Sequence, residues 1–305
     1  MEKAANVVPD LKREKHKDYR KSFFYIIEPY LFLLPALILL SLFVFYPFFK
    51  TIYLSISRTD PQGKVKFLVG IDNYKYLFNS ASFINSLKVT GYFALLVVIP
   101  SIVIGFFLAI LANTKLKGMR IFRTIYALPM AISSASAAII WMFLFHPSMG
   151  LINYIFKANI GWLTDPKYGL LAVVIVTVWM NLGINYIFLI AGLQGIPEEL
   201  YESAAIDGAG AFRKHWSITI PSLSPVLFFL LIINIINTFQ VFGQVNLMTR
   251  GGPGEATNVI VYAIYRDAFF NNRFDLASAE SIVLFVILLV LTLIQFKFEE
   301  KQVNY

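Results

Sequence analysis

Five side-chain amides stand inside otherwise apolar runs, at spacings that a helix converts into faces. Asn181 and Asn185 are four residues apart, Asn234 and Asn237 are three apart, and Gln240 follows one turn later. An amide both donates and accepts, which suits a hydroxyl-rich ligand. Unpaired in hydrocarbon, it loses its hydrogen bonds at a substantial cost, so each must meet protein, water or a solute. Two readings stay open: hydrogen bonds between helices, common in helix bundles, or a polar path.

A second set of polar residues lies in the connector EELYESAAIDGAGAFRKHWSITIP, residues 198–221, between two of these runs. Glu198 and Glu199 follow Pro197, as in the first turn of a helix whose dipole favours carboxylates. That helix is expected to run through Leu200, Tyr201, Ala204 and Ala205, with Gly208 ending or bending it. Ala211 to Ser217 reads as a second short helix, and Pro221 starts the next apolar segment. Small residues between 203 and 211 leave room for another surface. The connector is either a helical hairpin packed on its own spans or a folded protrusion that touches something outside the membrane. Asp207, taken alone, reads equally well as a carboxylate capping a helix end.

Other chemistry finds no constellation. His16, His146 and His215 lack metal-ligand spacing, and no serine sits in a nucleophile motif. There is no cysteine, which removes disulfides and thiolate sites together. No G-x-x-x-x-G-K-[ST] loop is present to bind ATP. The chain is therefore not expected to be an enzyme or to hold a cofactor of its own. The net charge of +8 brings no basic patch with interleaved aromatics, so nucleic acid is not an expected partner.

The elements that must position these residues are membrane spans. Hydrophobic residues make up 58% of the 305 and charged ones 14%, against about 25% in a soluble domain. Six segments approach the roughly 20 residues needed to cross a bilayer: 30–49, 89–112, 124–145, 169–192, 222–243 and 276–296. The first five hold no Asp, Glu, Lys or Arg, and the sixth holds Glu280, near its start and expected at the outer interface. Coupling to protons or sodium is thus unexpected, because ion-coupled carriers keep ionisable groups inside the membrane. Pro35, Pro100, Pro129 and Pro225 are expected near segment ends or first turns.

Six spans place both termini on one side. Fifteen of the 26 Lys and Arg fall on the side of the termini. They are densest in a basic tail over residues 1–28 (Lys12, Arg13, Lys15, Lys17, Arg20, Lys21) and in the loop of Lys115, Lys117, Arg120 and Arg123. The positive-inside bias puts that side, with residues 198–221, in the cytoplasm. The expected fold is all-α, with residues 29–305 forming the membrane domain.

The connector resembles the E-A-A motif of permease subunits from binding-protein-dependent ABC importers: E-A-A, a glycine, nine residues, then I-x-L-P. Glu202, Ser203 and Ala204 stand for E-A-A, Asp207 and Gly208 follow, and 218–221 read I-T-I-P. The departures are Ser203 for alanine and Ile220 for leucine. The stretches at 32–56, GIDNY (70–74), WMFLF (141–145), LQGIPEELYE (193–202) and GGPGEATNVIVYAIY (251–265) resemble the sugar-type, maltose-like branch. Within it, DPQG (60–63), IDGAG (206–210), YRDAF (265–269), DLASAES (275–281) and the ending QFKFEEKQVNY are similar to the first permease subunits of glycerol-3-phosphate importers.

The resemblance implies a type I importer permease in a prokaryotic cell membrane. Partners would be a second homologous permease, two ATP-binding subunits carrying ATP and Mg, and an extracytoplasmic solute-binding protein. It implies ATPase coupling through Glu202 as a polar contact, Gly208 as the bend, Ala204 and Ala205 as a close-packed face, and Asp207 as a helper. It also implies that Asn234 and Asn237 meet solute hydroxyls, with Asn181 facing the same ligand. A phosphate-bearing solute invites Arg or Lys, and the spans hold none. Either the solute is a neutral sugar or the positive charge comes from the partners. The turn Arg250-Gly251-Gly252-Pro253-Gly254 is a reversing loop or the rim of the cavity. Rival readings are a stand-alone channel or facilitator without ATPase coupling, and a non-transporting membrane scaffold.

Overall fold

A computed structural model describes residues 23–114 and 118–302. The basic tail as far as residue 22, with Lys115 and Lys117, lies outside the described residues. The chain divides into two compact units, Met1–Lys50 and Thr51–Tyr305.

The chain starts with α1 (Phe23–Leu40), a π-helical turn (Ser41–Phe45) and α2 (Tyr46–Ser55). Strands β1 (Ser57–Thr59) and β2 (Val65–Leu68) then form an antiparallel hairpin, which an all-α expectation did not include. The cause is local: Asp60 Oδ1 accepts from the amides of Gln62 (3.1 Å) and Lys64 (2.8 Å), and Gly63 takes φ +80°, so DPQG folds back on itself. Next come α3 (Asp72–Asn79) and α4 (Ala81–Ala112). Buried Asn73 of α3 donates to the carbonyls of Ser55 (2.9 Å) and Ser57 (2.8 Å), tying GIDNY to the hairpin.

The central group is α5 (Met119–Ala127), a 3-10 turn (Leu128–Ala131), α6 (Ser134–Leu144), α7 (Leu151–Phe156) and α8 (Pro166–Gln194). The connector contains α9 (Glu198–Ile206), α10 (Ala211–Lys214), a π turn (His215–Thr219) and α11 (Ile220–Ser222). The chain continues through α12 (Ser224–Phe239), α13 (Gly243–Met248), α14 (Ile260–Tyr265), a π turn (Arg266–Phe270) and α15 (Phe274–Gln302).

Among the described residues, five helices are long and apolar enough to cross a membrane: Glu28–Ser55, Ala81–Ala112, Pro166–Gln194, Ser224–Met248 and Phe274–Phe298. Polar caps start two of them, Ala81–Ala112 and Pro166–Gln194, ahead of their apolar runs. Ser80 Oγ accepts from the Phe83 amide, and Asp165 Oδ1 accepts from the Lys167 amide at 2.9 Å. Pro35 and Pro100 lie inside α1 and α4 rather than near a segment end or first turn.

The segment 124–145 is not one straight span. Met119–Ala131 and Ser134–Leu144 meet at 107°. Pro129 sits in the 3-10 turn, Ile132 is extended, and Ser133 caps α6 by accepting from the Ser136 amide at 3.1 Å. The bend is seated on α8 at Gly183, where an added Cβ would stand 2.9 Å from the Met130 backbone nitrogen. Small residues also let α4 and α8 approach: a Cβ on Gly105 would stand 2.9 Å from Cβ of Asn185. The core follows this contact, with Phe93, Val97, Val173 and Val245 at one level and Ala109, Leu189, Leu193 and Leu223 at another. Glu280, expected at an interface, is buried near the start of α15.

Candidate permeation clefts and coupling hairpin

The five amides separate into two groups. Asn185 and Asn234, 0% and 2% exposed, face each other across α8 and α12. Asn234 Nδ2 donates to Asn185 Oδ1 at 2.7 Å and to the Leu230 carbonyl at 2.7 Å, while Asn185 Nδ2 donates to Asn234 Oδ1 at 3.3 Å. This is the interhelical reading of the two open at the level of sequence.

Asn181, Asn237 and Gln240 lie instead on a cleft of about 430 Å³, with Thr177, Ser134 and Gln244. Each wall has a local cause. Thr177 and Asn181 are four apart on α8. Gln240 is the C-cap where α12 stops, and α13 restarts at Gly243, so non-helical backbone at span depth borders a cavity. Ser134 arrives through the bend before α6, and Gly243 admits it: an added Cβ there would collide with Ser134 Oγ. The Nδ2 of Asn181 is buried without a hydrogen-bond partner, a donor left over for something in the cleft. Thr177 was legible from its spacing to Asn181. Ser134 was not, because only the bend brings it there.

At one end of the fifth span stands the connector, folded as a helical hairpin. Helix α9 ends in a Schellman arrangement: the Ala209 amide donates to the Ala204 carbonyl at 2.8 Å, and the Gly208 amide to the Ala205 carbonyl at 3.1 Å. Gly208 takes φ +75°, which only glycine adopts without strain. Thr219 Oγ1 stands 2.9 Å from Tyr201 OH and 3.1 Å from His215 Nδ1, joining the two arms. Glu202, Ala205, Asp207 and Gly208 are exposed and Ala204 is half-buried.

The hairpin also displays large apolar side chains that sequence reasoning did not single out. Ile206, Phe212 and Trp216 are 88%, 80% and 67% exposed, and the rings of Phe212 and Trp216 stack at 13°. Their signal was present: a connector that only had to be solvated would not carry them.

The broken helices, the amide cleft and the hairpin define a membrane permease. The pattern for "Binding-protein-dependent transport system inner membrane component" matches residues 90–302, and the chain belongs to that family. It is a multi-pass permease subunit of an ABC importer, in the cell membrane. Its relatives include the sn-glycerol-3-phosphate transport system permease protein UgpA of Agrobacterium fabrum, 39% identical over 92% of this chain and 97% of the relative. The UgpA of Rhizobium meliloti is 37% identical over the same shares. Among solved structures, a bacterial ABC transporter involved in the import of the acidic polysaccharide alginate aligns with TM-score 0.78 and 26% identity, over 92% of this chain and 99% of that one. The alginate transporter in complex with an alginate pentasaccharide-bound periplasmic protein gives 0.78 and 25%, over 91% and 96%.

Proposed function

We propose that this permease works beside a second homologous permease, on two ATP-binding subunits that carry ATP and Mg, and receives glycerol-3-phosphate from an extracytoplasmic binding protein. The bent pair counts as the sixth span, and both termini and the hairpin are cytoplasmic. The hairpin seats in the ATPase: Ile206, Phe212 and Trp216 enter its cleft, Ala204 and Ala205 allow close approach, and Glu202 and Asp207 make polar contacts. Asn181, Asn237 and Gln240 hold hydroxyl groups in passage, weakly enough for release. Asn185 and Asn234 hold α8 to α12 behind them. The chain itself holds no cofactor.

The observation that carries this reading is the exposed apolar face of a hairpin whose turn is closed at Gly208 and whose arms meet at Thr219. Left in water, such a face is costly, and a docking surface explains it. The choice of solute is supported by the named cargo of the UgpA relatives. The alginate named for the structural relatives is acidic as well.

The test is ATP hydrolysis by the reconstituted complex with its binding protein, comparing glycerol-3-phosphate with neutral oligosaccharides. Stimulation by glycerol-3-phosphate supports the assignment. Stimulation by a neutral sugar alone replaces the solute, and no stimulation by any loaded binding protein removes the ATPase coupling.

A further inference from the structure

At the end of the fifth span opposite the hairpin, a second cleft of about 510 Å³ opens past the amide cleft. Its lining includes Asn246, Arg250, Tyr262, Tyr265, Arg266 and Asn271, and no carboxylate among the described residues. Arg250 is exposed, and among the described residues no acid pairs with it. Arg266 is fixed in place: its Nη1 is 3.0 Å from Glu255 Oε1 and its Nη2 donates to Ser82 Oγ at 3.0 Å.

The backbone under Arg250 is held in a conformation that an arginine rarely adopts, φ +51°. Its amide donates to the Val245 carbonyl at 2.8 Å, and Thr257 Oγ1 donates to the Gly252 carbonyl at 2.7 Å while standing 2.7 Å from Thr249 Oγ1, from which it accepts. Strain of this kind persists only where the surroundings over-determine it, and it concentrates at ligand sites. Two aromatic rings separate the clefts. Phe242 borders the amide cleft, Tyr265 borders the cationic one, and their centroids are 4.8 Å apart, edge to face.

We propose that this outer cleft is an anion-accepting vestibule, in which Arg250 and Arg266 receive the phosphate or carboxylate of an anionic polyol before its hydroxyls pass the Phe242–Tyr265 pair into the amide cleft. It rests on the permease reading above, which puts this end toward the binding protein. The unpaired guanidinium of Arg250 matches either anion with paired hydrogen bonds, while Arg266, balanced by Glu255, adds a fixed donor rather than a second net charge. The positive charge that the spans lack is thereby on this chain, at the mouth of the path.

The test uses the reconstituted complex with glycerol-3-phosphate, an acidic oligosaccharide and a neutral maltodextrin, each on a cognate binding protein where one loads it. Uptake per ATP hydrolysed is measured for the wild type, R250Q and R250K, at low and high salt. The vestibule requires R250Q to lower this ratio for the anionic cargo by roughly fivefold or more, with hydrolysis intact and the salt dependence flattened. R250K should retain most of the wild-type ratio. The cargo that shows the loss distinguishes phosphate from carboxylate. An unchanged ratio in R250Q overturns the vestibule and leaves the permease reading standing; stimulation by maltodextrin alone overturns the vestibule and the choice of solute, and leaves the ATPase coupling standing. Absence of hydrolysis with every loaded binding protein overturns both.

Discussion

The carboxamides of Asn185 and Asn234 exchange hydrogen bonds across α8 and α12, and both are buried. One turn from each, Asn181 and Asn237 lie on a cleft instead. The two pairs therefore differ in what their loss should do. Asn234→Leu strands a buried amide and should destabilise the subunit by about 0.6 to 2 kcal/mol. Asn237→Leu should leave thermal stability unchanged and lower uptake. Thermal unfolding of the complex in detergent, paired with uptake in proteoliposomes, separates the two. Equal loss of stability in both variants would contradict the division.

Gly208 closes α9 at φ +75°. A leucine there costs roughly 1–2 kcal/mol in backbone strain, localised to the hairpin and remote from the span core. Gly208→Leu should leave the spans folded and reduce recovery of the ATP-binding subunits on purification. Gly208→Asn, which tolerates this conformation better, should recover part of it. Normal co-purification and uptake in Gly208→Leu would remove the hairpin from the coupling role.

Trp216 stacks on Phe212 at the surface, so truncation has little to disturb within this chain. Trp216→Ala should shift stability by about 0.5 kcal/mol or less. If the ring fills a pocket on the ATPase, the same change costs on the order of 2 kcal/mol in association. Titrating the ATP-binding subunit onto the permease pair in nanodiscs reads that difference. Unaltered affinity would assign Trp216 to the lipid surface.

Glu202→Lys reverses a charge on the exposed face of α9 without touching the core. Its expected effect is loss of solute-stimulated ATP hydrolysis with the permease pair still assembled. Size-exclusion of the complex and hydrolysis measured on the same fractions check it. Full stimulation in this variant would show that Glu202 makes no contact that matters.

The positions of α4, α8, α12 and α15 were legible because apolar runs of this length, with at most one charged residue, have few other fates. Gly208 was legible because a glycine after a short amphipathic helix has a known conformational use. The bend between α5 and α6 was not, since an apolar run shows length and says nothing of direction. Pro129 and Ser133 create the turn, but Gly183 on another helix supplies the seat. The fate of the amides was also hidden. Helical spacing puts Asn181 with Asn185 and Asn234 with Asn237, yet which of each pair meets the neighbouring helix depends on how α8 and α12 rotate.

The seat itself can be tested. Leucine at Gly183 would drive its side chain into the backbone at Ala127 and Met130, which cannot move aside as a side chain would. Gly183→Leu should destabilise the subunit by about 1–3 kcal/mol and displace Ser134 from the amide cleft, lowering uptake as well. Unchanged stability and uptake would show that the bend is not held there.

The central claim is that the hairpin touches the ATP-binding subunit. The chain contains no cysteine, so one introduced at Ala205 is the sole thiol of this subunit. Cross-linking Ala205→Cys with a short thiol-to-amine reagent in the assembled importer should join this chain to the ATP-binding subunit. A cysteine in place of Gln62, in the β1–β2 turn, should not. Cross-linking from Gln62→Cys but not from Ala205→Cys would contradict the account.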